Sequence, residues 1–123
     1  MRMATVEITK ENLTETVENN GVVLLDFWAE WCAPCRMFGP VFERVSEKYP
    51  DAVFGKVNTE QQRELAAGFE ISSIPTLMAL RDGVIVFAQP GALREKEFVE
   101  VVEAVLALDM EEVREAIAAQ NAR

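Results

Sequence analysis

The residues best suited to covalent chemistry in this chain are its two cysteines, three positions apart. They stand in the run Trp31-Cys32-Ala33-Pro34-Cys35 and are the only cysteines of 123 residues. The run falls where a buried, strand-like stretch hands over to a helical pattern, which puts Cys32 at a helix N-cap. Unpaired backbone N–H groups and the positive end of the helix dipole stabilise an anion there, so the Cys32 thiol pKa is expected to be lowered. Cys35 lies one turn inside, close enough to Cys32 to close a disulfide and more shielded from water. Pro34 suits the first helical turn, where its missing N–H costs nothing. Such a pair supports thiol–disulfide exchange. The competing reading is two small buried apolar side chains. One Cys-x-x-Cys cannot supply the four ligands of a structural zinc site, and the chain has no histidine to complete one.

Asp26 is the second informative residue. It interrupts Val22-Val23-Leu24-Leu25-Asp26-Phe27-Trp28, and a carboxylate is expensive to bury in its charged form. Burial would raise its pKa and make it a proton donor or acceptor. The alternative is a strand that surfaces early and leaves Asp26 solvated. Lys56, in Val53-Phe54-Gly55-Lys56-Val57, is either the counter-charge of Asp26 or an exposed strand lysine. Trp28 and Trp31 flank the cysteines. Beside a reactive thiol they point to a partly exposed apolar binding surface, although most such tryptophans are core. Ile74-Pro75 opens a strand, and by itself it reads as an ordinary trans proline. Gly91 after Pro90 is a turn unless something needs close backbone approach.

The elements that must position these groups follow from apolar spacing and punctuation. Thr5 to Ile8 is a short strand. Thr9 caps a helix with Leu13 and Val17 on one face, and Gly21 takes the left-handed position after Asn20. Val22 to Trp28 is apolar on both faces apart from Asp26, as expected of a central strand covered on both sides. Ala33 to Tyr49 is a helix with Met37, Phe38, Val41, Phe42 and Val45 inward, kinked at Pro40. After the turn at Pro50-Asp51, Val53 to Asn58 is a strand. Thr59-Glu60-Gln61-Gln62 is a capping box opening a short helix that Gly68 closes. Thr76 to Leu80 and Val84 to Gln89 form a hairpin around Arg81-Asp82-Gly83. Glu95 to Leu108 is a helix with Phe98, Val101, Val102 and Val105 at helical spacing. Asp109 caps a last helix running to about Gln120. Successive strand–helix units imply parallel pairing with right-handed crossovers, and the hairpin adds antiparallel strands. The expected fold is α/β, a central mixed sheet flanked by helices on both faces.

Composition narrows the function. The chain is 50% hydrophobic and 27% charged, an ordinary globular balance for one domain. Its net charge of −9 repels phosphate backbones and anionic lipid, so neither nucleic acid nor membrane is an expected partner. Without histidine there is no Ser–His or Cys–His pair and no imidazole pH switch. The longest apolar runs, such as Val84 to Ala88, are too short to cross a bilayer. The opening Met1-Arg2-Met3-Ala4-Thr5-Val6-Glu7 has no apolar h-region, so a cytoplasmic protein without a signal peptide is expected.

Phe27-Trp28-Ala29-Glu30-Trp31-Cys32-Ala33-Pro34-Cys35-Arg36-Met37, then Pro40, Ile74-Pro75-Thr76 and Gly91-Ala92, resemble the thioredoxin family. The similarity runs from about Val6 to Leu108. It implies the thioredoxin fold and a protein-disulfide reductase, with Cys32 the attacking nucleophile and Cys35 the resolving cysteine. Asp26 would then be the buried acid handling the proton of Cys35, with Lys56 its neighbour and Pro34 between the cysteines. Pro75 would be a cis proline facing the disulfide. Trp31, Ala33, Ile74, Pro75, Gly91 and Ala92 would receive the substrate. Expected partners are disulfide-containing client proteins and a thioredoxin reductase; neither a cofactor nor a metal is expected, and the expected oligomeric state is a monomer.

Three departures stand out. Ala33 replaces the usual Gly, Arg36 the common Lys, and Pro90 an aliphatic residue whose N–H would be available. Residues 109–123 have no counterpart in the short thioredoxins and form a helical extension on a domain of residues 1–108. Two other classes remain open: a client-holding module without turnover, and a thiol metal-binding protein that would need a dimer.

Overall fold

The computed structural model describes residues 4–122. Met1 to Met3, which carry part of the N-terminal reading, and Arg123 lie outside the described residues. The elements run in the order β1 (Thr5–Glu7), α1 (Leu13–Asn19), β2 (Val22–Trp28), α2 (Ala33–Ser46), β3 (Val53–Asn58), α3 (Arg63–Gly68), β4 (Thr76–Arg81), β5 (Val84–Pro90), α4 (Glu95–Leu106) and α5 (Met110–Asn121). One five-stranded sheet has the order β1-β3-β2-β4-β5. β3 pairs in parallel with β1 and β2, while β2–β4 and β4–β5 are antiparallel. The mixed sheet expected from the sequence is therefore present, with β2 at its centre.

Side chains alternate across each strand, so one strand feeds two cores. Val22 and Leu24 of β2 join Phe54, Leu77 and Ala79 beneath α2 and α4. Val23, Leu25 and Phe27 join Val57, Met78 and Leu80 on the other face, against Leu13 and Val17 of α1 and Leu65 of α3. A cluster of phenylalanines seats α2. Phe42 stacks on Phe98 of α4 at 5.5 Å between centroids and meets Phe54 of β3 edge-on at 5.4 Å. The helix carrying both cysteines is thereby clamped between sheet and α4, running without interruption through Pro40.

Several local expectations give way. Met37 is exposed rather than inward. It lies about 100° around the helix from Phe38, outside the arc of Phe38, Phe42 and Val45. Thr9 does not cap α1: the N-cap is Asn12, whose Oδ1 accepts from the Thr9 N–H at 2.8 Å in the turn before the helix. Gly21 is not left-handed, since α1 ends directly into the extended residue Asn20. The capping box at Thr59 is absent. Asn58 Oδ1 accepts from the N–H of Glu60 and Gln61, and the Thr59 hydroxyl donates to the Trp28 carbonyl. Helices α2 and α4 stop at Ser46 and Leu106, short of Tyr49 and Leu108.

The hairpin turn is Asp82-Gly83, with φ of 52° and 80°, the left-handed pair that a two-residue hairpin loop requires. Its neighbour Arg81 donates to the carbonyls of Val105, Leu106 and Leu108 at 2.7, 3.1 and 3.3 Å. One guanidinium thus serves the orphaned acceptors at the end of α4. Asp109 caps α5 as expected, accepting from the N–H of Glu111 and Glu112. Along α5, Met110 is buried, Val113 half-buried and Ile117 exposed. Arg114 reaches Asp82 at 3.8 Å.

Candidate active site

Three chain segments meet at one end of the sheet because the register makes them neighbours. β2 leaves the sheet after Trp28 and leads to α2. Thr76, the first residue of β4, pairs with Phe27 on one side and Pro90 on the other. The loop after β2, the loop before β4 and the loop after β5 therefore converge.

Cys32 is the N-cap of α2 in extended conformation, and its Sγ accepts the Cys35 N–H at 3.2 Å. This is the helix-terminus geometry expected from the sequence, with a donor already aimed at the sulfur. Cys32 and Cys35 are joined as a disulfide with Cα atoms 5.2 Å apart. Both cysteines are 4% exposed, so in this disulfide state burial does not separate an open Cys32 from a shielded Cys35. The Sγ of Cys32 stands 3.7 Å from the Ile74 carbonyl oxygen. A disulfide sulfur has no proton to donate, so this is a contact across the mouth of the site. The Ile74–Pro75 bond is cis. Gly91, with φ of 106°, donates its N–H to the Pro75 carbonyl at 2.8 Å. That conformation suits glycine, and it ties the loop after β5 to the loop before β4.

The mouth is apolar and open. Trp31 is 67% exposed, and Ala33, Pro34, Gly91 and Ala92 are exposed. Beside Trp31 lies a groove of about 320 Å³ lined by Thr59, Ala66, Ile71, Ser72, Ser73 and Ile74. Of these lining residues the sequence pointed to Trp31 and Ile74 alone. The others come from the end of β3, from α3 and from the segment before β4, and no local pattern announces their meeting.

Asp26 is fully buried, which excludes the solvated alternative. It shares the face of Leu24 beneath α2, and β2–β3 pairing sets it opposite Lys56. The Lys56 ammonium is 4.0 Å from Asp26 Oδ2 and 5.0 Å from the centre of the Trp28 ring. Neither carboxyl oxygen has a hydrogen-bond partner. Desolvation dominates and pushes the Asp26 pKa up to about 7, with Lys56 pulling the other way. A Cβ on Gly39 of α2 would lie 3.6 Å from the Lys56 ammonium, so the pair sits directly under the cysteine-bearing helix.

A redox-active cysteine pair capping a helix, above a buried carboxyl that titrates near neutrality, defines a thiol–disulfide oxidoreductase. Comparison with known proteins agrees. The thioredoxin family model matches residues 4–104, and the chain belongs to the thioredoxin family. A Streptomyces coelicolor protein described as putative thioredoxin 2 is 59% identical over 120 residues, covering 98% of this chain and 90% of that protein. A Chlamydia pneumoniae thioredoxin is 42% identical over 91 residues, 74% of this chain and 87% of the other. Among solved structures, a point mutant of a thioredoxin from Halobacterium salinarum superposes with a TM-score of 0.79 at 29% identity, covering 89% of this chain and 97% of that one. The resemblance read from the motif block is borne out in family and fold. Among the described residues, no helix is long and apolar enough to cross a membrane.

Proposed function

We propose that the chain reduces protein disulfides, with Cys32 attacking and Cys35 resolving. The observation that carries this assignment is the Cys35 N–H directed at Cys32 Sγ at the start of α2. In the dithiol state the same donor and the helix dipole favour the Cys32 thiolate. That thiolate attacks one sulfur of a client disulfide. The client bond breaks, a Cys32–client disulfide forms, and the second client sulfur leaves as a thiolate that takes up a proton. Asp26 then accepts the proton of Cys35, directly or through water. The Cys35 thiolate attacks Cys32 Sγ, the Cys32–Cys35 bond forms, and the first client sulfur leaves. The client gains two electrons and two protons. A thioredoxin reductase supplies two electrons to restore the dithiol.

A carboxyl with a pKa of about 7 suits this task, since it both takes and returns a proton at neutral pH. Lys56 keeps that pKa from rising further. Trp31, Ala33, Pro34, Ile74, Pro75, Gly91 and Ala92 form the client-facing surface. The open backbone of Ile74 pairs with an extended client segment. Residues 1–108 act as the redox domain in the cytoplasm, and residues 109–123 are an accessory helix on that domain.

The test is a trap. Cys35→Ser protein incubated with insulin should accumulate a mixed disulfide through Cys32 that excess dithiol releases. Cys32→Ser protein should accumulate none. A trap that forms through Cys35 and not through Cys32 would reverse the two roles.

A further inference from the structure

Met37 has no place in the redox cycle, yet it is 73% exposed one helical turn from the disulfide. The other described methionines, Met78 and Met110, are 3% and 6% exposed. Helical geometry says what Met37 covers. It follows Ala33 by four residues and precedes Pro40 by three, so all three fall within roughly 60° of one another around α2. Ala33 and Pro40 are exposed as well. Helical side chains lean toward the N-terminus, so the Met37 thioether extends back over the turn of Ala33 and Pro34. The neighbouring Arg36 guanidinium is held at the Glu30 carbonyl, 2.7 Å away. Ala33, Pro34 and Met37 thus share one exposed face at the start of α2, and the exposed Trp31 directly precedes Cys32.

We propose that Met37 is an oxidation-sensitive client contact: its thioether adapts to apolar client side chains, and conversion to the sulfoxide weakens client capture. The inference rests on the client surface proposed above. The oxidant is a hydroperoxide. The sulfur lone pair attacks the terminal peroxide oxygen, the O–O bond breaks and an S–O bond forms. The sulfur loses two electrons, and hydrogen peroxide leaves as water. A flexible thioether is well suited to varied partners. The sulfoxide must be desolvated at an apolar contact that offers it no donor. The result is reduced affinity with the dithiol chemistry unchanged.

The experiment treats the full chain with hydrogen peroxide, removes the peroxide, and supplies excess dithiothreitol, which restores and recycles the dithiol at every turnover and leaves sulfoxides in place. Sulfoxides are mapped by peptide mass spectrometry, and insulin reduction is measured against insulin concentration. Met37 should be oxidised before Met78 and Met110. KM should rise about fivefold or more, with kcat changed by less than about twofold. Each variant is compared with its own untreated sample, and Met37→Leu should show a treated-to-untreated ratio near one. Modification of Met37 no faster than of the buried methionines overturns the inference. So does an unchanged KM after oxidation, or an equal loss in treated Met37→Leu. An untreated protein that does not reduce insulin overturns the proposed function itself, and the inference with it.

Discussion

Asp26→Asn should remove a pH dependence of stability that the unmodified protein carries between about pH 4 and pH 7. In the unfolded chain the carboxyl ionises near 3.8, whereas in the fold burial keeps its proton on until about pH 7. Between those values the native state binds more protons than the unfolded state, so stability falls as pH rises. The contribution is fully present below pH 3.8, is lost progressively above it, and is gone once pH passes about 7. The gap is about three pH units, and at ~1.4 kcal/mol each it amounts to about 4 kcal/mol. Asp26 is fully buried, so solvent screening does not reduce this figure much. The amide is neutral throughout. It does bring N–H donors to a place where neither carboxyl oxygen has a partner, a cost of about 1–3 kcal/mol that is the same at every pH. Urea unfolding of both proteins between pH 4 and pH 8 is the assay. The difference between the two stability curves isolates Asp26, because every other carboxyl cancels. The mutant should gain about 4 kcal/mol relative to the parent across that range. Its insulin reduction at pH 7 should nonetheless be slower, by about tenfold, for want of a proton acceptor. Parallel stability curves would refute the raised pKa, and an unchanged rate would refute the catalytic role.

Two further outcomes bear on the site and the tail. Limiting iodoacetamide at neutral pH should label Cys32 of the reduced protein ahead of Cys35, because the Cys35 N–H and the positive end of α2 are directed at the Cys32 sulfur; mapping preferential label to Cys35 would exchange their roles. Truncation after Leu108 should cost about 1 kcal/mol or less, since Met110 is the one buried side chain of α5 and most of its ~1.5–3 kcal/mol is offset by ordering the helix. Insulin reduction should survive truncation. Asp82, which Arg114 of the tail reaches, lies just past the far end of β4, roughly 20 Å along the chain from Thr76; a folded truncation without activity would place the tail in a working interface.

The motif block and the element order were legible in the residues themselves. Two cysteines at a strand-to-helix junction specify thiol chemistry, because helix-terminus electrostatics are local and travel with the sequence. Val22 to Trp28 announced a central strand because both of its faces had to be apolar. Asp82-Gly83 marked a hairpin because few residue pairs accept positive φ together. The Asp109 cap was equally local, one carboxyl and the N–H groups two and three residues on.

What escaped depends on groups distant in sequence. Whether Asp26 was solvated turned on β3 and β4 closing over both edges of β2, and on α2 closing over its face. Its raised pKa is a property of that enclosure. Met37 had the composition of a core residue, but the phenylalanine cluster from three elements set which arc of α2 faces inward. Asn12 and Asn58, rather than Thr9 and Thr59, accept backbone N–H groups in the turns that precede α1 and α3, because the incoming strands decide where each helix starts. The mouth around the disulfide is assembled from residues near 31, 74 and 91 only by the register of β2, β4 and β5. Local sequence determines dihedral preference and charge at a helix end; desolvation and juxtaposition belong to the folded chain, because water is excluded and loops converge only when the sheet has formed.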